Sequence, residues 1–219
     1  MAIASVNQVW RGLIGVLLPA RCVGCGEGGA YLCGGCLADA RRLPPPVVRP
    51  GTFAFDTATA AFAYEGVPRE AVHRLKYAGL RALAPEMAAP MAESLALRGL
   101  RTNTVIPLPL HAKRLRERGH NQAALLAKGV AGLLGLTLHE HALVRTVYEQ
   151  PQVRAAVREA RMANVEGAFA IAPGADIRGL EIVLVDDVMT TGSTLDSAAR
   201  VLKEAGARRV HALTFAREP

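Results

Sequence analysis

Two adjacent carboxylates followed by a run of hydroxyl side chains give the segment EIVLVDDVMTTGSTL the clearest chemical signature in this chain. Asp186 and Asp187 come directly after an apolar run at residues 182–185, which predicts a buried strand. Ionised carboxylates accept hydrogen bonds from neighbouring hydroxyl groups, and the unpaired N–H groups at a helix N-terminus attract phosphate. The predicted phosphate loop consists of Thr190, Thr191, Gly192, Ser193 and Thr194. The segment therefore predicts a site for a ribose phosphate.

The plainer interpretation is an ordinary strand followed by a capped helix, in which Asp187 and Ser193 satisfy only backbone groups. The order of the groups favours the ligand site, because an acceptor for a diol precedes a cradle for a phosphate. The segment resembles the 5-phosphoribosyl-1-pyrophosphate (PRPP) motif of type I phosphoribosyltransferases. This resemblance implies that Asp186 and Asp187 bind the ribose hydroxyls and that residues 190–194 bind the 5-phosphate.

Near the N-terminus, four cysteines are spaced as C-x2-C-x7-C-x2-C, and they are all the cysteines of the chain: Cys22, Cys25, Cys33 and Cys36. Two such knuckles direct four thiolates to one point, and a tetrahedral zinc ion is the expected occupant. Because four cysteines close the coordination shell, we expect a structural and not a catalytic zinc site. Disulfide bonds and an iron–sulfur cluster are the alternatives.

The net charge of +7 is unevenly distributed, with one basic cluster at residues 113–118. This cluster follows a predicted strand at residues 105–110, and strand ends of an open α/β sheet converge on one crevice. We therefore expect Lys113, Arg114 and Arg118 to meet the pyrophosphate of the ligand, with Lys76 and Tyr77 in the same crevice. A solvated helix face is the alternative for these residues, and a nucleic acid would also be attracted to them.

The remaining pattern predicts an α/β fold in which helices flank a parallel sheet. We expect an edge strand at residues 57–64, helices from Pro68 to before Gly79 and over 82–97, a helix beginning near 119–121 and a strand at 137–143. A polar stretch at residues 145–164 is typical of a mobile lid or of a plain surface helix, and it contains Gln150, Gln152, Arg154, Arg158 and Arg161. The predicted boundary separates residues 1–50, with a helix, the cysteine module and a proline-rich connector, from residues 51–219.

Hydropathy predicts a protein without a membrane span, because no segment offers about 18 uncharged apolar residues in a row. The apolar positions near the N-terminus, such as Trp10, Leu13 and Leu17, are interrupted by Arg11 and favour a docking helix over a signal peptide. We therefore expect a cytoplasmic protein.

Several motifs in order and spacing resemble the ComF family, which is associated with bacterial competence. They are CVGC and CGGC, LKYAG, RLRERGHNQA, NVEGAF and VLVDDVMTTGSTL, and the resemblance runs from about Cys22 to Arg217. It implies a zinc-binding module joined to a type I phosphoribosyltransferase-like domain that binds PRPP with Mg²⁺. It also implies a role in DNA uptake for natural transformation or in the use of DNA as a nutrient, with competence proteins as partners. His120 stands where this family usually has Phe.

The function implied is transfer of the phosphoribosyl group of PRPP to an unknown acceptor, and the pattern leaves open whether catalysis occurs. A nitrogen nucleophile would displace Mg²⁺-bound pyrophosphate from the anomeric carbon, with Arg114 or Arg118 neutralising the leaving group. His111 or His120 is a candidate proton shuttle, although a hydrogen-bonded loop histidine is the plainer interpretation. The competing hypothesis is a non-catalytic PRPP or nucleotide sensor, or a single-stranded-DNA-binding competence factor. The oligomeric state stays open.

Overall fold

The computed structural model describes residues 20–44, 51–146 and 168–218. Its strands, in chain order, are β1 (Thr57–Ala63), β2 (Thr104–Pro107), β3 (Thr137–Leu138), β4 (Leu143–Arg145), β5 (Phe169–Ile171), β6 (Glu181–Met189) and β7 (Arg209–Arg217). Five of them form a parallel sheet in the order β1-β7-β6-β2-β3, while β4 and β5 pair antiparallel with each other. The predicted edge strand at 57–64 is confirmed as β1.

The helices of the described residues are α1 (Gly34–Asp39), α2 (Gly66–Tyr77), α3 (Ala84–Ala96), α4 (Ala112–Arg118), α5 (Gln122–Leu134) and α6 (Ser193–Glu204), with a 3-10 turn at Arg81–Leu83. Local capping explains where α5 begins and ends. The Asn121 side chain accepts a hydrogen bond from the backbone N–H of Ala123 at 3.0 Å, and Gly135 ends the helix at a φ of 66°.

The core lies on both faces of the sheet, because β6 contributes apolar side chains to each. Val183 and Val185 pack in a cluster with Phe62 and Met87, whereas Ile182 and Leu184 pack in the opposite cluster. A strand covered on both faces needs a continuous apolar run, and not an alternating one. This is why residues 182–185 were recognisable as a central strand.

The predicted end of that strand was wrong by four residues. Pairing between β6 and β2 stops at Val185, but pairing between β6 and β7 continues through Asp186 to Met189. The two carboxylates therefore lie within β6, on the part of the strand that extends past β2. Pairing with β7 keeps the backbone of this part of β6 extended. The apolar run at residues 182–185 gives no sign of that pairing.

Other predicted boundaries also need correction. The sequence predicts a helix that begins near residues 119–121, but a separate helix, α4, already occupies residues 112–118 and ends at Gly119, whose φ is 74°. The strand predicted at 137–143 is two short strands, β3 and β4, which belong to different sheets. Helix α2 begins at Gly66, two residues before the predicted start, and the helix predicted over 82–97 is a 3-10 turn followed by α3.

The described part of the cysteine module packs directly on the larger domain. Leu32 is 3% exposed and belongs to the same apolar cluster as Phe62 and Met87. The Glu86 carboxylate, in the first turn of α3, accepts hydrogen bonds from the backbone N–H groups of Tyr31, at 3.2 Å, and Leu32. The module and the sheet thus share a core, while the boundary at residue 50 stays a prediction.

Three predictions fall outside the described residues: the helix with Trp10, the polar stretch that contains Arg154, and most of the proline-rich connector. Among the helices that are described, none combines the length and the apolar run needed to cross a bilayer.

Candidate functional site

A cleft of about 250 Å³ opens where β2 and β6 end. Both carboxylates of the acidic pair line it, together with residues from α2, α4 and the phosphate loop. Its lining consists of Tyr64, Lys76, Tyr77, Leu108, Pro109, Leu110, Arg114, Arg118, Gln122, Arg145, Asp186, Asp187, Val188, Thr190 and Thr194. The carboxyl ends of parallel strands are where α/β sheets bind ligands, and the charged residues of this lining set the chemistry.

The deeper carboxylate, Asp187, forms an ion pair with Lys76. The Lys76 ammonium lies 2.8 Å from Oδ1 of Asp187, and the aspartate side chain is 2% exposed. Burial alone would lower the pKa of Lys76, but the carboxylates of Asp187 and Asp186 outweigh it and raise the pKa. Among the described atoms, Oδ2 of Asp187 is buried and has no hydrogen-bond donor. A ligand hydroxyl would supply the donor that this oxygen lacks.

The second carboxylate, Asp186, has a raised pKa. Burial and the neighbouring charge of Asp187 raise the pKa of Asp186 to about 7. Oδ1 of Asp186 accepts a hydrogen bond from the backbone N–H of Asp187 at 2.8 Å. A carboxylate that titrates near neutral pH, in a cleft, is typical of a functional site.

The phosphate loop leads into α6 through a left-handed glycine. Gly192 has a φ of 81°, and a Cβ placed on it would lie 3.3 Å from the Phe53 ring. The N-cap residue, Gly192, supplies no side-chain cap, although the Ser193 N–H donates to Thr191 Oγ1 at 3.4 Å, and Thr191 Oγ1 lies 2.9 Å from Ser193 Oγ. The N-terminus of α6 therefore keeps N–H donors for an anion beside Thr190 and Thr194.

Helical periodicity sorts the basic residues of α4. Arg114 and Arg118 are four residues apart, half-buried, and line the cleft, whereas Lys113 and Arg116 are exposed. Of the predicted pyrophosphate ligands, the structure thus brings Lys76, Arg114 and Arg118 to the cleft, and Lys113 is not part of its lining.

Arg145 is a cleft residue that the sequence reasoning did not single out. It ends β4, and its guanidinium carbon lies 5.2 Å from the centroid of the Phe169 ring, its register partner on β5. The pairing of β4 with β5 places Arg145 at the cleft, and three-residue strands separated by more than twenty residues leave no periodic signal in the sequence. Gln122 was missed as well, because it reads only as the first residue of a helix.

His120 is a hydrogen-bonded, buried histidine. It is 6% exposed, and its ring nitrogens lie 2.8 Å from the Leu75 carbonyl oxygen and 3.1 Å from that of Arg118. It does not line the cleft, and its contacts favour the plainer interpretation over a proton shuttle. It joins the end of α2 to the turn between α4 and α5.

The four cysteine sulfurs form one cluster. Their Sγ atoms all lie within 4.8 Å of one another, and those of Cys25 and Cys33 are 3.7 Å apart. Zinc–sulfur bonds of about 2.3 Å in a tetrahedron separate the sulfurs by about 3.8 Å, so the cluster fits a zinc ion. Backbone N–H groups of Gly24 and Cys33 each donate to Cys22 Sγ at 3.4 Å, which favours a thiolate. The cluster can hold a metal such as zinc, and its four thiol ligands suit a structural site.

The profile of the phosphoribosyl transferase domain family matches residues 121–219. DNA utilization protein YhgH of Salmonella typhi is 31% identical over 144 residues, which are 64% of this chain and 62% of that protein. Competence protein F of Haemophilus influenzae is 31% identical over 114 residues, 52% of this chain and 49% of that protein. Competence protein ComFC of Bacillus subtilis is 36% identical over 102 residues, 47% of this chain and 39% of that protein. The chain spans less than two thirds of the length of each of these relatives.

Proposed function

This chain belongs to the ComF family and has a phosphoribosyltransferase-like α/β fold with a four-cysteine module, and from this premise we propose that its cleft binds PRPP. The ribose hydroxyls bind Asp186 and Asp187, the 5-phosphate binds residues 190–194, and the pyrophosphate lies toward Arg114 and Arg118. The observation that carries the proposal is the combination, in one cleft, of paired carboxylates, a helix N-terminus whose N-cap residue is a glycine, and a group of cations.

Charge balance supports a polyanionic ligand. Four cationic side chains line the cleft against two carboxylates, and they are Lys76, Arg114, Arg118 and Arg145. Lys76 is already paired with Asp187, so the arginines supply the remaining positive charge. A ligand with a phosphate at one end, a diol in the middle and a pyrophosphate at the other matches this order of groups. Magnesium arrives as part of the substrate, bound to the pyrophosphate.

The reaction that suits this site is transfer of the phosphoribosyl group to a nitrogen acceptor. A C1–N bond forms as the bond from C1 to the pyrophosphate oxygen breaks, the bond electrons leave with the pyrophosphate, and the nitrogen loses its proton to solvent. The chain's own residues orient the ribose, anchor the 5-phosphate and stabilise the charge on the departing oxygens. Release of pyrophosphate in the presence of candidate nucleobases or amines would distinguish a transferase from a protein that binds PRPP without turnover.

The binding test is a calorimetric titration with PRPP and Mg²⁺ of the wild type and of Asp186→Asn at pH 8, above the raised pKa of Asp186. Asparagine keeps the acceptor for the Asp187 N–H but loses the negative charge, so we expect affinity to fall by at least tenfold, about 1.4 kcal/mol or more. Asp176→Asn is the matched control, because Asp176 is an exposed aspartate outside the cleft lining. Equal affinity of the wild type and Asp186→Asn would remove the carboxylate from the site.

The names of the relatives supply the cellular context. One relative is called a DNA utilization protein and two are called competence proteins, and we infer that this chain acts in DNA uptake or in the use of extracellular DNA. The same variant tests this inference: Asp186→Asn should fail to restore transformation or growth on DNA in a strain that lacks the wild-type protein, while Asp176→Asn restores it. Full rescue by Asp186→Asn would separate the cellular role from PRPP binding and favour a DNA-binding or scaffolding role.

A further inference from the structure

Tyr77 is a cleft residue whose aromatic side chain is largely exposed. It is the last residue of α2, lines the cleft and is 68% exposed. Its ring packs against a cation: the guanidinium carbon of Arg118 lies 5.3 Å from the ring centroid, within the range of a cation–π contact. The exposed ring therefore contacts Arg118 on the cleft side and the His73 ring, whose centroid is 4.9 Å away, and it is not part of the apolar core.

Arg118 is held at a second point by a buried acceptor. Its Nη1 donates a hydrogen bond to Oε1 of Gln122 at 2.6 Å, and Gln122 is 5% exposed at the start of α5. A guanidinium has five N–H donors, and the hydrogen bonds among the described residues engage one of them. The other N–H groups of Arg118 can donate to an anion in the cleft. The Tyr77 ring on one face and the Gln122 amide at the edge fix the plane of the guanidinium.

Lys76 cannot take over this role. Its ammonium is engaged by Asp187 at 2.8 Å, so its charge is largely balanced inside the protein. An arginine also differs in shape, since its planar fork matches two oxygens of a phosphate at once, whereas an ammonium acts as a point charge. The orientation of the Arg118 guanidinium is therefore the property on which two-point recognition depends.

The geometry points to Tyr77 and Gln122 as positioning residues that hold the Arg118 guanidinium ready for the pyrophosphate end of the ligand. This assignment rests on the proposed function and adds residues that act through Arg118 without reacting themselves. An arginine that is ordered before the ligand arrives loses less side-chain freedom on binding, so affinity rises without a new protein–ligand contact.

Two probes separate the ends of the cleft: magnesium pyrophosphate reports on Arg118, and ribose 5-phosphate reports on the acidic pair and the phosphate loop. For Tyr77→Leu, we expect pyrophosphate to bind about threefold to tenfold more weakly and ribose 5-phosphate to bind as to the wild type. Tyr77→Phe keeps the ring and should bind both probes within about twofold of the wild type. Because Tyr77 is exposed, Tyr77→Leu should fold normally.

A double-mutant cycle shows whether Tyr77 acts through Arg118. In an Arg118→Ala background, Tyr77→Leu should cause no further loss of pyrophosphate affinity, and Gln122→Met alone should weaken pyrophosphate binding as Tyr77→Leu does. Additive losses, equal losses for both probes, or no recovery in Tyr77→Phe would overturn the assignment. If the wild type bound neither probe, the proposed function would fail together with it. If the wild type bound both and Tyr77→Leu changed neither affinity, only the positioning role would fail.

Discussion

Three consecutive residues at the end of α2 face three different environments. Leu75 is fully buried in the core, Lys76 reaches Asp187, and Tyr77 packs on Arg118. Successive residues of a helix point about 100° apart, so a single turn can place one side chain in the core, the next against Asp187 and the third against Arg118. The Leu75 carbonyl oxygen also receives His120. This is a physical reason for the residue order in LKYAG, which the sequence alone presents only as a family motif.

The raised pKa of Asp186 predicts how stability depends on pH. The folded state holds this carboxyl proton up to about pH 7, whereas the ordinary pKa of an unfolded aspartate is 3.8. The folded protein therefore binds more protons than the unfolded chain between those two values, and its stability falls as pH rises through this window. Asp186→Asn removes this loss, so its free energy of unfolding relative to the wild type should rise by roughly 2 kcal/mol from pH 5 to pH 8.

Urea denaturation at both pH values measures this difference. Asp176→Asn serves as the control, because Arg178 lowers the pKa of Asp176 to about 2 and the group stays ionised over the whole interval. The control difference should be flat between pH 5 and pH 8. A flat difference for Asp186→Asn as well would mean that its carboxyl is already ionised at pH 5.

At the scale of elements, α3 and α5 approach each other closely at a glycine. A Cβ on Gly129 would lie 2.5 Å from the Cβ of Ala88, whereas a Cβ on Gly132, one turn later, would meet nothing within 4 Å. Gly129→Ala should therefore lower the free energy of unfolding by about 1–3 kcal/mol through overpacking. Gly132→Ala should raise it by about 0.5–1 kcal/mol, since alanine favours the helix.

Chemical denaturation of the two variants gives a matched comparison within a single helix. Equal effects on stability would contradict the close approach of α3 and α5. A rise in the free energy of unfolding of both variants would show that helix propensity, and not packing, governs this surface.

The elements that the sequence predicted are those with a continuous apolar signal, such as β6 and the helices that cover it. Helix α4 was missed because AKRLRER carries a single large apolar residue, Leu115, which is itself 42% exposed. Its start depends on the His111 side chain, which accepts from the Lys113 N–H at 3.2 Å, and its end depends on Gly119. Histidine is a weak capping signal, so the sequence does not mark the start of this helix. The acidic pair and phosphate loop were recognisable because they are contiguous, whereas Arg145 and Gln122 reach the cleft only through tertiary structure.

At the scale of the whole molecule, the cysteine module and the sheet are joined through shared contacts. A Cβ on Gly24, between the first two cysteines, would lie 2.7 Å from the Val67 side chain at the start of α2. The Glu86 carboxylate of α3 accepts hydrogen bonds from the backbone N–H groups of Tyr31 and Leu32. The module therefore packs on the same helix that carries Lys76 at its other end. Loss of order inside the module should therefore also lower the stability of the larger domain.

Removal of one sulfur tests this coupling. Cys33→Ser should abolish stoichiometric metal binding and speed amide exchange in residues 20–44, while the sheet stays folded with a thermal midpoint lowered by about 2–8 °C. Metal analysis, hydrogen exchange and thermal unfolding measure the three effects. Glu86→Gln is the control: it should keep the metal, because Glu86 holds the module from outside the sulfur cluster. Complete unfolding of Cys33→Ser would make the module a required part of the main core.

The antiparallel pairing of β4 with β5 bears on how this protein can vary during evolution. Arg145 and Phe169 are register partners, and the Thr146 N–H donates to the Ala168 carbonyl at 2.9 Å, so both ends of the intervening stretch are fixed side by side at the cleft. The entropy of closing such a stretch grows only with the logarithm of its length, about 0.6 kcal/mol for each doubling. Insertions and deletions between these anchors would leave the sheet and the ligand-binding end of β6 in place. Natural selection is therefore free to change the length and composition of the chain between these two anchors without rebuilding the cleft.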